Sequence, residues 1–106
     1  MLEALMDITF FPKESALLKD WAGYDARRTL RPAFNLGGML FSGHIMSDEE
    51  MYRWNAEYTV LVRFFTIDTL QAYSLVKDSL TVGDTYNIQL ASKVIGKAVL
   101  SDYSFN

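Results

Sequence analysis

Two segments of the sequence place an apolar side chain at every second position. They are residues 57–65, which read E-Y-T-V-L-V-R-F-F, and residues 84–90, which read D-T-Y-N-I-Q-L. In an extended chain, successive side chains point to opposite faces, so alternate residues share one face. The residues that share a face are Tyr58, Val60, Val62 and Phe64 in the first segment and Tyr86, Ile88 and Leu90 in the second. Both segments are therefore predicted to be β-strands with one buried face.

Four more segments carry strand signals, which brings the predicted number of strands to six. These segments are residues 6–10, 29–36, 39–45 and 94–103. Gly43 lies inside the third of them and predicts a bulge or a bend, because glycine within a strand marks a departure from regular pairing. Since open strand edges invite aggregation, six short strands in a small chain favour a closed antiparallel barrel or a sandwich.

Three connections between these strands carry helix signals. Residues 14–21 place apolar side chains at near-helical spacing, which predicts a short helix or a compact loop. Residues 47–50 have the spacing of a capping box, which predicts one or two helical turns with Met51 and Trp54 facing inward. Residues 68–77 repeat the cap pattern and predict a short helix or a crossing loop. The predicted fold is mainly β, a six-stranded antiparallel closed barrel with one to three short helical connections.

The composition is typical of one small domain without thiol chemistry. The chain has 106 residues, 50% of them hydrophobic, and no cysteine, so we expect a single domain over residues 1–106 with its own core. The lack of cysteine excludes a thiolate nucleophile and a cysteine-ligated metal, and it agrees with a reducing compartment. The first residues lack a secretory signal, and no apolar run reaches the length that crosses a bilayer. We therefore expect a soluble, cytoplasmic protein.

The charge balance argues against a general nucleic-acid binder. The formal net charge is -3, whereas contacts from Lys and Arg to phosphate supply most non-specific affinity for nucleic acids. Arg27, Arg28 and Arg31 are a local exception. This cluster is either a solvated loop or a patch that contacts phosphate.

Few residues suggest catalysis. His44 is the only histidine, and it is either a structural residue of its strand or a general base or metal ligand. Zinc sites usually draw on several His or Cys ligands, so we predict no catalytic residue, no metal and no cofactor. Asp48, Glu49 and Glu50 form the densest acidic group. They are predicted to cap a helix or to meet a basic partner surface.

Aromatic residues in the connections are candidate anchors for a partner protein. Trp21, Tyr24 and Trp54 either contact a partner, because Trp and Tyr dominate interface hot spots, or cover the ends of the barrel. Together with the three arginines and the acidic group, they make up the predicted partner-binding residues.

Five dispersed segments carry a family resemblance. They are I-T-F-F-P-K-E at 8–14, G-Y at 23–24 followed by R-P-A-F at 31–34, V-L-V-R-F-F at 60–65, L-T-V-G-D-T-Y-N-I at 80–88, and V-I-G-K-A-V at 94–99. In this order they resemble the third domain of bacterial elongation factor Tu. The resemblance implies a six-stranded antiparallel barrel, with Arg31 at its rim and a link to tRNA and translation factors. The chain has no phosphate-binding glycine loop, so GTPase activity is not expected.

Three functional hypotheses follow from these features. The first is a non-enzymatic protein-binding barrel, such as an immunity protein or antitoxin that occludes a basic toxin site, and small size and acidic charge favour it. The second is a binder of tRNA or of a translation factor, favoured by the resemblance and the arginine cluster. The third is a barrel that binds a small molecule with His44.

Overall fold

The computed structural model describes residues 1–12, 23–25 and 31–106. The strands of these residues are β1 (Leu2–Phe10), β2 (Gly23–Asp25), β3 (Ala33–Leu36), β4 (Met39–Ser42), β5 (His44–Met46), β6 (Met51–Arg53), β7 (Glu57–Phe64), β8 (Thr85–Leu90) and β9 (Lys93–Phe105). An α-helix, α1 (Leu70–Ser74), and a 3₁₀ helix (Lys77–Ser79) connect β7 to β8. The fold is mainly β, as the sequence predicts. The helix or loop predicted at residues 14–21 lies outside the described residues.

Seven of the described strands form one antiparallel sheet. Their order is β4, β3, β8, β9, β1, β7, β5, and β2 pairs separately with β6. β1 lies inside the sheet, antiparallel to β7 on one side and to β9 on the other. The sequence predicts six strands in a closed barrel, whereas this described sheet has seven strands and ends at β4 and β5. The two end strands are consecutive in the chain, with only Gly43 between them.

Gly43 divides what the sequence predicts as a single strand, residues 39–45. Its amide donates to the carbonyl oxygen of Pro32 at 3.0 Å, which continues the pairing of β4 with β3. Beyond it, β5 pairs with β7 instead. A β-carbon on Gly43 would lie 2.7 Å from Cγ1 of Val62 and closer still to the ring of Phe34. The change of partner at this glycine accounts for the seventh strand, and it confirms the predicted departure from regular pairing.

The inward-facing side chains of the seven-stranded sheet form the core. The buried residues from β1 and β7 are Leu2, Ala4, Met6, Ile8, Phe10, Val60, Val62 and Phe64, and those from β3, β8 and β9 are Phe34, Leu36, Tyr86, Ile88, Ala98 and Leu100. Phe34 and Phe64 meet edge to face with their ring centroids 5.4 Å apart. The predicted inward face of β7 is thus confirmed. The opposite side chains of β1 and β7 point to the outer face of the sheet.

Helix α1 forms in the predicted segment, but its N-cap is Thr69, one residue after Asp68, the cap that the pattern predicts. The hydroxyl of Thr69 accepts a hydrogen bond from the amide of Ala72 at 3.0 Å, which satisfies one of the free donors of the first turn. Ile67, just before the helix, is fully buried. Tyr73 stacks on Phe105 with ring centroids 4.5 Å apart. These contacts hold the connection against the core.

A register shift in the pairing of β8 with β9 changes which side chain is buried. The shift falls between Ile88 and Gln89, and Gln89 is only 9% exposed. Its amide accepts from Nδ2 of Asn35 at 3.1 Å and donates to the carbonyl oxygen of Ala91 at 3.2 Å. Leu90, which strict alternation places on the inward face, is only half-buried. The bulge corrects the simple alternation that the sequence predicts for β8.

Candidate functional site

The predicted partner-binding residues do not lie together as one site in the described part of the chain. Trp21, Arg27 and Arg28 lie outside the described residues. Tyr24 lies in β2, where its backbone pairs with that of Tyr52 in β6. The other five predicted residues lie in two places. Arg31 is in one of them, and Asp48, Glu49, Glu50 and Trp54 lie on either side of β6 in the chain.

Arg31 lies against an aromatic residue on the surface. Its guanidinium carbon is 5.4 Å from the ring centroid of Phe65, within the range of a cation–π contact. The ring of His44 meets Phe65 edge-on at 5.7 Å. Nδ1 of His44 is buried and has no hydrogen-bond partner among the described residues. Arg31 and His44 therefore meet around Phe65, which the sequence does not indicate.

The acidic loop, Asp48 to Glu50, is exposed to solvent. The hydroxyl of Ser47 accepts from the amide of Glu49 at 3.1 Å, and the chain then enters β6. The helical turns predicted from the capping-box pattern are therefore wrong. Met51, predicted to face inward, is 38% exposed, and Trp54 is half-buried.

The acidic loop leads into a tightly packed aromatic cluster. The ring of Tyr52 lies 5.5 Å from that of Phe10 and 4.9 Å from that of Tyr58. Burial raises the pKa of Tyr52 above its usual value, a hydrogen bond with Ser47 opposes this rise, and the charge of Glu49 adds to it. The hydroxyl of Tyr58 accepts from the backbone amide at position 53 at 3.0 Å. The exposed carboxylates thus directly precede a segment of the chain that packs into the core through Tyr52.

Three apolar side chains form a row across the outer face of the sheet. Leu5 of β1 lies opposite Leu61 of β7, and Leu61 lies opposite Met46 of β5. Leu5 is 39% exposed and Met46 is 38% exposed, while Leu61 is half-buried. We call Leu5, Leu61 and Met46 the outer apolar row. Because its members lie on paired strands, their spacing is fixed by the sheet.

Acidic residues flank both ends of the outer apolar row. Asp102 of β9 lies opposite Leu5 in the register of the sheet, and the acidic loop begins two residues after Met46. Between these ends, Glu3 is partly neutralised because its carboxylate accepts from Nε of Arg63 at 3.0 Å. A shallow groove of about 190 Å³ follows the Leu5 end of the row. Its lining comprises Glu3, Leu5, Leu61, Asp102, Tyr103 and Ser104.

No protein-family model, curated protein or solved structure matches this chain. The resemblance to the third domain of elongation factor Tu therefore stays a prediction.

The described residues also bear on metal and membrane binding. Within residues 1–12, 23–25 and 31–106, no three His, Asp or Glu side chains come together as potential metal ligands. In the same residues, no helix has the length and apolar character that crossing a bilayer requires.

Sequence reasoning missed the outer apolar row, although a signal for it is present. In β7 the segment V-L-V interrupts the alternation, since Leu61 is apolar at an outward position. Leu5 is likewise apolar at an outward position, in the A-L-M segment of β1. An apolar residue at an outward position of a strand is the pattern that would have indicated this surface.

Proposed function

We propose that this protein is a non-enzymatic binding module that holds a basic partner protein against the outer face of β1, β7 and β5. The observation that carries the proposal is the outer apolar row, with Asp102 at one end and the acidic loop at the other. Protein interfaces commonly combine an apolar centre with a polar rim. An immunity protein or antitoxin that covers a basic toxin site would use this combination.

The proposal includes closure of the sheet into a six-stranded barrel. What supports closure is that β4 and β5 lie at opposite ends of the strand order, although only Gly43 separates them in the chain. Counted as one strand, residues 39–46 would contact β3 with their first half and β7 with their second half. A closed barrel would fix the outer face, and a rigid surface loses less conformational entropy on binding.

The two parts of the surface have different physical roles. Covering Leu5, Leu61 and Met46 removes apolar area from water and supplies affinity. The exposed carboxylates of the acidic loop attract a basic partner from a distance and raise the association rate, an effect that salt screens. The net charge of -3 has the sign that this mechanism requires.

Affinity capture from the native host, with variants designed on this surface, tests the proposal. We expect the immobilised chain to capture a basic protein. Leu61→Asp should abolish capture, because it places a charge in the centre of the outer apolar row. A triple variant, Asp48→Lys, Glu49→Lys and Glu50→Lys, should slow association about tenfold or more at low salt and much less at high salt. Thr85→Lys, at an exposed position of β8, is the matched control and should bind as the wild type does.

Three outcomes would contradict the proposal. One is that no protein is captured by the wild type, and another is capture that Leu61→Asp leaves unchanged. The third is capture of tRNA that weakens steeply with salt and is lost in Arg31→Ala, which would support the translation-linked alternative. Circular dichroism and thermal unfolding of each variant establish that a loss of binding is not a loss of folding.

A further inference from the structure

The shallow groove at the Leu5 end of the outer apolar row crosses three neighbouring strands. Leu5 of β1 lies opposite Leu61 of β7 on one side and opposite Asp102 of β9 on the other. All three residues line the groove, which has a volume of about 190 Å³. The lining therefore combines two leucine side chains with a carboxylate on the strand beyond them.

A register shift in the pairing of β1 with β9 brings Asp102 into this groove. The shift falls between Leu5 and Met6, so that Leu100 lies opposite Met6 and Asp102 lies opposite Leu5. Without it, Ser101 would be opposite Leu5. Its hydroxyl instead bonds to the carboxylate of Asp7 at 3.3 Å. Such bulges are over-represented next to active sites, where they redirect a side chain.

The carboxylate of Asp102 keeps an acceptor for a bound molecule. Its Oδ1 accepts from the backbone amide of Tyr103 at 2.9 Å. The side chain is exposed, and no Lys or Arg of the described residues forms an ion pair with it. The second oxygen, Oδ2, and the negative charge can therefore meet a cationic donor from outside the described residues.

Glu3 supplies a second carboxylate to the same groove. Its side chain is 28% exposed, and Oε2 accepts from Nε of Arg63 at 3.0 Å. Because Glu3 pairs with Ser104 while Leu5 pairs with Asp102, the two acidic residues are diagonal neighbours. Diagonal neighbours lie about 7 to 8 Å apart. A planar cation that enters between them can contact both carboxylates, and the contact with Arg63 shows that a guanidinium fits this surface.

We propose that the groove binds an arginine side chain of the basic partner protein, an inference that rests on the proposed function. The apolar stem of the arginine lies along Leu5 and Leu61, and the guanidinium donates to Asp102. Charge complementarity favours this occupant, because two of the described residues that line the groove are acidic and none is basic. Long cationic side chains cover apolar surface with their stems, and a guanidinium forms two parallel hydrogen bonds with a carboxylate.

Titration of the full chain with a short arginine peptide tests the proposal without the partner protein. The probe is acetyl-Gly-Arg-Gly-amide, and the matched probe carries citrulline, which has nearly the same shape and no charge. We expect the arginine peptide to shift the backbone amide resonances of Leu5, Asp102 and Ser104 in a saturable manner. The citrulline peptide should have a dissociation constant about threefold higher or more.

Two variants separate the groove from the general acidity of the chain. Asp102→Asn keeps the size of the side chain and an oxygen for the amide of Tyr103, and it should raise the dissociation constant of the arginine peptide about threefold or more. Asp78→Asn, at an exposed position of the 3₁₀ helix, removes the same charge and should leave binding unchanged. Thermal unfolding establishes that both variants are folded.

Three results of the titration would overturn the proposal. One is that the groove resonances do not respond to the arginine peptide, and another is that the citrulline peptide binds equally well. The third is that Asp78→Asn weakens binding as much as Asp102→Asn does.

The captured partner provides a second test, in which this proposal and the proposed function can fail separately. Asp102→Asn should raise the dissociation rate of the captured protein about tenfold or more, because a charge pair covered by the partner is shielded from water. Capture with an unchanged dissociation rate would overturn the arginine site and keep the proposed function. Binding of the arginine peptide in the groove, with no protein captured from the host, would support the arginine site and contradict the proposed function.

Discussion

Gly43 and Phe34 lie so close together that the aromatic ring occupies the space that a β-carbon on Gly43 would need. The ring is fully buried, and it packs edge to face on Phe64, so it has no room to withdraw. The chain therefore changes its pairing partner from β3 to β7 at a residue where no β-carbon would fit.

Replacing Gly43 with alanine should destabilise the fold. Forcing an extra carbon into a well-packed core costs about 1 to 3 kcal/mol, and the change should appear as a lower midpoint of chemical denaturation. Ser42→Ala, at the exposed neighbouring position, is the control and should unfold near the wild-type midpoint. An unchanged midpoint for Gly43→Ala would mean that the ring is not held where we describe it.

Asn35 links the β3–β4 hairpin to β8 through its amide group. It donates to Gln89 at 3.1 Å and accepts from the amide of Gly38 at 2.9 Å. Asn35→Ala should lower the free energy of unfolding by about 1 to 3 kcal/mol, because it leaves the buried Gln89 oxygen without this donor. Asn87→Ala, on the exposed face of β8, should have little effect.

A double-mutant cycle separates the hydrogen bond from general packing. With Gln89→Leu already present, Asn35→Ala should cost clearly less than it does in the wild type, because no buried acceptor is left unsatisfied. Simple additivity of the two substitutions, measured by urea denaturation, would contradict this account.

Thr69 caps helix α1 through its hydroxyl. Thr69→Ala should cost about 0.5 to 2 kcal/mol, the usual range for loss of an N-cap side chain. Urea denaturation measures the change, and Thr66→Ala, in the exposed turn before the helix, is the comparison. Equal stabilities of the two variants would show that the bond to Ala72 contributes nothing.

Tyr52 gives the fold a dependence on alkaline pH. Burial raises the pKa of its phenol in the folded state, whereas the pKa in the unfolded chain is about 10. The folded state therefore favours the neutral phenol more strongly than the unfolded chain does. The resulting stabilisation is fully present below about pH 10 and is lost as pH rises through the folded-state pKa.

The variant Tyr52→Phe tests this dependence. Near neutral pH it should be slightly less stable than the wild type, because it lacks the hydrogen bond with Ser47. As pH rises above about 10, the stability of the wild type should fall more steeply, so the difference between the two proteins should narrow. Parallel stability curves over the whole alkaline range would disprove the assignment to Tyr52.

The strands could be predicted from the sequence because one face of each is buried against a common core. Val60, Val62 and Phe64 alternate with outward residues, and the structure buries all three. The interruption at Gly43 was predictable for the same reason, since glycine in a strand marks irregular pairing. The alternation of apolar residues and the glycine that interrupts a strand can each be recognised in the sequence of one strand alone.

Features that depend on a distant segment could not be predicted in this way. Residues 47–50 carry a local capping pattern, but Tyr52 pairs with β2 and packs on Phe10 and Tyr58, and these tertiary contacts override the local preference. The buried position of Gln89 depends on a bulge in the pairing with β9. The outward apolar positions of Leu5 and Leu61 can be recognised in their own strands, but that they lie side by side with Met46 depends on how the three strands are aligned.

The position of β1 between β7 and β9 sets the order in which this molecule can be completed. The pairing of Asp7 with Val99 joins a strand that the ribosome makes early to one that it makes late. Until the late strand emerges, β1 has no pairing partner on that side. Such non-local pairing is slow to form, so we expect β1 to be completed later than a strand of a short-range hairpin such as β3.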